Sequence, residues 1–256
     1  MSTSIFNQMF LIFDPLEIIQ MCCWLIAGIV SLYFSIGNAR LWTSISFGFF
    51  LLLIGQTYLI DPLVKYHVVI TMHHVCSILS IMLISHGFFE YYIFCRTLEI
   101  SGTKRTIYFA TAGVLVFFWL FLSVNPNPSP NAVRNYQIIA NATWTILCIA
   151  NIFLCRKIYQ SLGSSPIGKG FFGFAAAFFL IFIWKGAFLY REIYQWDRLG
   201  QDIYYISGQY LDIEGYTGIV EATYQIVNIA GILASITVVG THIYLLRLLK
   251  FSGGEA

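Results

Sequence analysis

Apolar residues run along this chain in long, nearly unbroken stretches separated by short polar punctuation. The stretches fall near residues 16–37, 41–60, 67–95, 106–124, 136–155, 171–192 and 218–246. Each is near the roughly 20 apolar residues that a helix needs to cross a bilayer. None shows the alternating segments of about ten residues that mark a membrane β-barrel. The pattern therefore predicts an all-α, polytopic membrane protein with seven transmembrane helices. Turn chemistry separates the stretches: Gly37-Asn38 after the first, Asp61-Pro62 after the second, and the Pro-rich run from Asn125 to Pro130 after the fourth. Residues 1–15 read as an N-terminal segment, 16–246 as one membrane domain and 247–256 as a tail, with no internal repeat, linker or second domain.

Composition sharpens this picture. Of the 256 residues, 58% are hydrophobic and 10% charged, against about 45–50% and about 25% in an average soluble domain. A mean hydropathy of +0.75 agrees, and a soluble fold is excluded. The net charge of +2 is scattered, with no block of like charges, so nucleic acid is not an expected partner. The six cysteines lie within or at the ends of apolar stretches without CxxC spacing, and they read as buried apolar residues rather than disulfide or zinc ligands. The first 15 residues carry no Lys or Arg, so a cleavable signal peptide is not expected. Nine basic residues, Arg40, Arg96, Lys104, Arg105, Arg156, Lys157, Lys169, Arg247 and Lys250, fall on one side of the expected topology. Five, Lys65, Arg134, Lys185, Arg191 and Arg198, fall on the other. The excess predicts a non-cytoplasmic N-terminus, a cytoplasmic C-terminus and an acidic, Tyr-bearing external loop from Gln195 to Thr217.

Ionisable side chains are expensive in a bilayer, which makes each a site hypothesis. The third stretch concentrates them: His67, His73, His74, His86 and Glu90, with Asp61 before it and Arg96 and Glu99 after it. At about 100° per residue, adjacent His73 and His74 address two neighbouring grooves, while His86 and Glu90 share a face. The adjacent pair is poorly placed for both rings to hold one metal ion, so no metal site is expected. It suits acid–base work, with one imidazole on a reacting group and the other orienting a second residue. A histidine in a membrane helix also commonly serves as an interhelical hydrogen-bonding residue. Haem would need a second histidine at matching depth, and only His242 offers itself to His86. Lys185, toward the outer end of the sixth stretch, reads as a lysine that snorkels to the interface rather than as a Schiff-base residue.

The stretch from Ser44 to Phe109 resembles the TLC-domain family, the membrane proteins that include the ceramide synthases. The likeness lies in Gly55-Gln56-Thr57-Tyr58-Leu59-Ile60-Asp61, then Met72-His73-His74-Val75-Cys76, then Leu98-Glu99-Ile100-Ser101-Gly102-Thr103-Lys104-Arg105, with Ser85-His86-Gly87-Phe88-Phe89 between. The resemblance implies a TLC-like bundle over about 41–246, an endoplasmic reticulum location and lipid work. It implies that His73 and His74 supply the base or nucleophile, with Asp61 and Glu99 orienting or balancing them. His67, His86, Glu90 and Arg96 are then expected to bind lipid. No cofactor is expected, and acyl-CoA enters as co-substrate only if the chain is an N-acyltransferase of the ceramide-synthase type. The sequence departs from that type after the His pair, where Tyr91 to Ser101 has one acidic residue and no His-Asp. The expected function is accordingly that of the smaller members: a protein that binds or handles a lipid or fatty-acyl group and affects membrane lipid composition. The other readings are the acyltransferase and an accessory subunit with membrane-protein partners.

Overall fold

The structure is a computed structural model that describes residues 15–36, 41–58, 67–98, 104–125, 128–163, 165–194 and 218–252. These residues form seven helices and no strand: α1 Pro15–Ile36, α2 Trp42–Thr57, α3 His67–Thr97, α4 Lys104–Val124, α5 Pro130–Leu162, α6 Pro166–Tyr194 and α7 Gly218–Ser252. All but α2 are long and apolar enough to cross a membrane. α2 has 16 residues, about 24 Å of helix, and is apolar but short of the roughly 30 Å hydrocarbon core.

The helices match the hydrophobic stretches, and the largest differences have local causes. α5 starts at Pro130, several residues before the apolar run, because Ser129 is its N-cap: the Ser129 hydroxyl accepts from the Ala132 N–H, and proline suits the first helical position. The Pro-rich segment read as a turn is thus partly a helix start. α5 continues past Cys155 to Leu162 and stops at Gly163, whose φ of +61° lies where glycine is favoured.

Six helices close a ring in the order α1, α2, α3, α5, α6, α7 and back to α1, while α4 lies outside and packs substantially only on α3. Few residues of the α4 span are buried, and Phe109, Phe117, Trp119 and Leu120 point outward. Hydrocarbon is a good solvent for that face, so its exposure needs no protein partner to explain it. Among the described residues the middle of the ring is packed with aromatic side chains. Trp24, Phe49, Phe88, Trp144, Phe174 and Phe178 line a void of about 10 Å³, at the lower limit for one water molecule.

α2 and α3 pack closely, which glycines make possible, as Gly170 and Gly173 do between α6 and α7. A Cβ on Gly48 would stand 2.6 Å from Ile84 Cγ1 and 2.8 Å from the Ser80 carbonyl oxygen. One on Gly87 would collide with Ile45 Cγ1, and one on Gly55 would stand 3.0 Å from Cys76 Cβ. Small residues let membrane helices approach this closely, and the gain is dispersion contact along the whole seam. Gly113 on α4 has nothing within 4 Å. Gly48→Ala should therefore destabilise the bundle by about 1–3 kcal/mol, the usual range for overpacking. Gly113→Ala should be neutral or slightly stabilising through helix propensity. Thermal unfolding of the two variants in the same detergent checks the contrast.

Candidate functional site

The ionisable residues of α3 fall into separate places along a helix of 31 residues, about 46 Å long, so they do not build one site. At its first residue, His67 Nδ1 donates to the Pro128 carbonyl at 2.9 Å and ties the start of α3 to the segment before α5. At its last turn, Arg96 is exposed, donates to the Tyr92 hydroxyl at 3.2 Å and lies over that ring, which also receives Lys157 Nζ at 5.6 Å. Asp61 and Glu99 lie outside the described residues.

His73 and His74 stand at the first of two interior places. Their rings are 5.1 Å apart and steeply inclined. His73 turns to α2, where Nδ1 lies 2.9 Å from the Gly55 carbonyl oxygen. A carbonyl only accepts, so Nδ1 carries the hydrogen and Nε2 keeps its lone pair. His74 is buried, and among the described residues its Nε2 has no hydrogen-bond partner. The Lys185 ammonium of α6 acts electrostatically on both imidazoles.

Lys185 corrects the sequence reading. It is 8% exposed and sits nine residues before the end of α6, about 14 Å from that end, on the face turned into the ring. It does not snorkel. Its Nζ lies 4.0 Å from the centre of the Trp184 ring, 5.5 Å from Phe188 and 5.7 Å from Trp144. Among the described residues no carboxylate stands against it. The Trp144 indole is itself fixed, because Nε1 donates to Ser77 Oγ at 2.9 Å. Insertion scales put a lysine at a helix centre at about 2.5–3.5 kcal/mol, an upper bound for Lys185, and a desolvated cation–π contact returns about 2. The cage thus leaves a balance that an anion near Nζ would more than offset, at about 4 kcal/mol for 4 Å and an effective dielectric of 20.

The second interior place joins α2, α3 and α4. His86 Nδ1 is 3.1 Å from Ser44 Oγ, Ser44 Oγ is 3.0 Å from the Tyr108 hydroxyl, and His86 Nε2 faces Glu90 Oε1 at 3.7 Å. His242 lies elsewhere, enclosed by Trp42, Phe49 and Phe174. Its Nδ1 donates to the Val238 carbonyl and its Nε2 accepts from Ser31 Oγ, so both nitrogens are taken and neither is left for a haem iron. Among the described residues no three His, Cys, Asp or Glu side chains converge as metal ligands. Sequence reasoning missed Ser44, Tyr108 and Trp144, whose partners come from remote helices, and it misplaced Lys185.

Compared with known proteins, the chain matches no family model, no curated protein and no solved structure.

The uncompensated ammonium yields a prediction. Lys185→Met keeps the side-chain length and removes the charge, so the delipidated protein in neutral detergent should melt at a higher temperature than wild type. Replacement of a buried charge by an apolar side chain commonly stabilises by about 1–4 kcal/mol. A fall in melting temperature would mean that the ammonium is paired within the protein.

Proposed function

We propose that this integral membrane protein handles a lipid whose acidic head, a fatty-acid carboxylate or a phospholipid phosphate, lies against Lys185, His73 and His74. One observation carries the reading: the Lys185 ammonium is held inside the bundle on aromatic faces, with the unpartnered His74 Nε2 nearby and no counter-charge among the described residues. An acidic head satisfies both needs at once, since it is an anion for the ammonium and a hydrogen-bond acceptor or donor for the imidazoles. The aromatic packing in the middle of the ring leaves the acyl chain to lie between helices or along the bundle's outer surface. The TLC-like order of Asp61, His73-His74 and Glu99 supports the same lipid class. With it come the endoplasmic reticulum as the membrane and, from the basic-residue count, a cytoplasmic C-terminus.

Mass spectrometry of gently solubilised protein tests this for wild type, Lys185→Met and His73→Ala/His74→Ala. A defined acidic lipid should copurify with wild type and drop about tenfold or more in both variants, the factor that a loss of 1.4 kcal/mol gives. The identity of the lipid separates the carboxylate from the phosphate. Bulk lipid alone, unchanged by the substitutions and accompanied by stoichiometric protein subunits, would overturn the reading in favour of an accessory subunit.

A further inference from the structure

Serine and threonine hydroxyls in these helices mostly turn back to a carbonyl of their own helix. Ser80 donates to Ser77, Ser123 to Trp119, Ser161 to Lys157 and Ser235 to Ile232. Ser44, in the first turn of α2, does not. Its hydroxyl is fully buried and sits between His86 of α3 at 3.1 Å and Tyr108 of α4 at 3.0 Å.

The hydrogens follow from the partners. Glu90 Oε1 stands 3.7 Å from His86 Nε2, an electrostatic rather than a hydrogen-bonding distance, and a carboxylate there favours the tautomer that carries its hydrogen on Nε2. Nδ1 then presents a lone pair and accepts from the Ser44 hydroxyl. Since that hydroxyl has one hydrogen, Tyr108 donates its own to Ser44 Oγ. A hydroxyl is thus hydrogen-bonded to a neutral imidazole whose far nitrogen points at a buried carboxylate. Those are the relations of nucleophile, base and orienting group that activate a serine. The spacing of His86 and Glu90, four residues apart on one face, holds the second relation within a single helix. The glycine seam sets the first, because Gly87 lies against Ile45 beside Ser44.

The surroundings specify the substrate. Tyr108 belongs to the one helix outside the ring, and Phe47, one turn beyond Ser44, is exposed and packs its ring against Tyr108 at 5.4 Å. The side of the cluster between α2 and α4 therefore faces hydrocarbon, and access to the buried Ser44 requires the Phe47 and Tyr108 rings to part. A molecule that enters there carries acyl chains, and the electrophile that membrane lipids present is an ester carbonyl.

We propose that Ser44 and His86 are the nucleophile and base of a site that hydrolyses acyl esters of membrane lipids, with Glu90 as the positioning residue. Ser44 Oγ attacks the ester carbonyl carbon while its proton passes to His86 Nδ1. The Tyr108 hydroxyl, released from Oγ, donates to the oxyanion. Collapse breaks the bond to the alcohol oxygen, which takes the proton from Nδ1 and leaves as the lysolipid alcohol. Water then attacks the Ser44 acyl ester, gives its proton to His86 Nδ1, and the fatty acid departs as Ser44 recovers the proton. This activity goes beyond lipid binding at Lys185 and stands independently of it.

A long-chain alkyl fluorophosphonate, which forms a phosphorus–oxygen bond to an activated serine and loses fluoride, tests the site in detergent-solubilised full-length protein. Peptide mapping should place the adduct on Ser44 in wild type, and Ser44→Ala should abolish it. His86→Gln should slow labelling about a hundredfold, the scale of a positioned general base. Glu90→Gln should lower the maximal labelling rate without changing the probe concentration for half-maximal rate, which a general loss of structure would not do. Wild type should also release fatty acid from phosphatidylcholine in mixed micelles, and labelling should stop the release. Absence of an adduct on Ser44 in folded wild type would overturn the proposal without recourse to any variant. So would equal labelling in folded His86→Gln, or labelled protein with no ester hydrolysis to inhibit.

Discussion

The backbones of α2 and α3 lie so close that a single methyl group at Gly48 or Gly87 would collide with the facing helix, and one at Gly55 would press on Cys76. Between membrane helices there is no water to expel, so contact of this kind, together with interhelical hydrogen bonds, is what holds a bundle together. The same approach positions the chemistry. It brings the Gly55 carbonyl to His73 at one end of the seam and Ser44 to His86 toward the other. His73 and His86 are thirteen residues apart in α3, about 20 Å along it.

The low dielectric of the interior makes these placements consequential. Most buried polar groups are satisfied locally: Trp144 by Ser77, Asn151 Nδ2 by Ser85, His242 by Ser31 and Val238, and Glu192 Oε1 by Gln137. Among the described residues Trp24 Nε1, Asn151 Oδ1, Glu192 Oε2 and His74 Nε2 are buried without a hydrogen-bond partner, and of these His74 is the one that lies in the field of Lys185, a cation held by π-faces. Their vicinity is where an anion gains most. The Ser44 cluster differs in kind, because Tyr108, Ser44 and His86 are hydrogen-bonded to one another with Glu90 3.7 Å beyond.

Much of the fold was legible because membrane helices must be long and apolar, and the helix positions follow directly from that constraint. The start of α5 at Pro130 was less so, since a capping serine extends a helix beyond its apolar run. The importance of α3 was also readable: charged and imidazole groups are rare enough in such a stretch to mark it. What that density could not reveal is that the helix is long enough to hold several unrelated places, so that His67 and Arg96 belong to neither interior cluster. Lys185 was misread because one side chain near a helix end looks the same in sequence whether it faces lipid or the ring. Ser44 gave no signal, since serine is common in such helices and its partners lie 42 and 64 residues away.

The seam between α2 and α3 is open to a direct chemical test. A Cβ on Gly55 would stand 3.0 Å from Cys76 Cβ, and a small shift brings it to the roughly 3.5–4.5 Å of a disulfide. Gly55→Cys, oxidised mildly in the membrane and mapped by peptide mass spectrometry, should yield a disulfide between position 55 and Cys76 in most molecules. Two free thiols at those positions under conditions that oxidise the exposed Cys22 would contradict the seam, and with it the placement of both clusters.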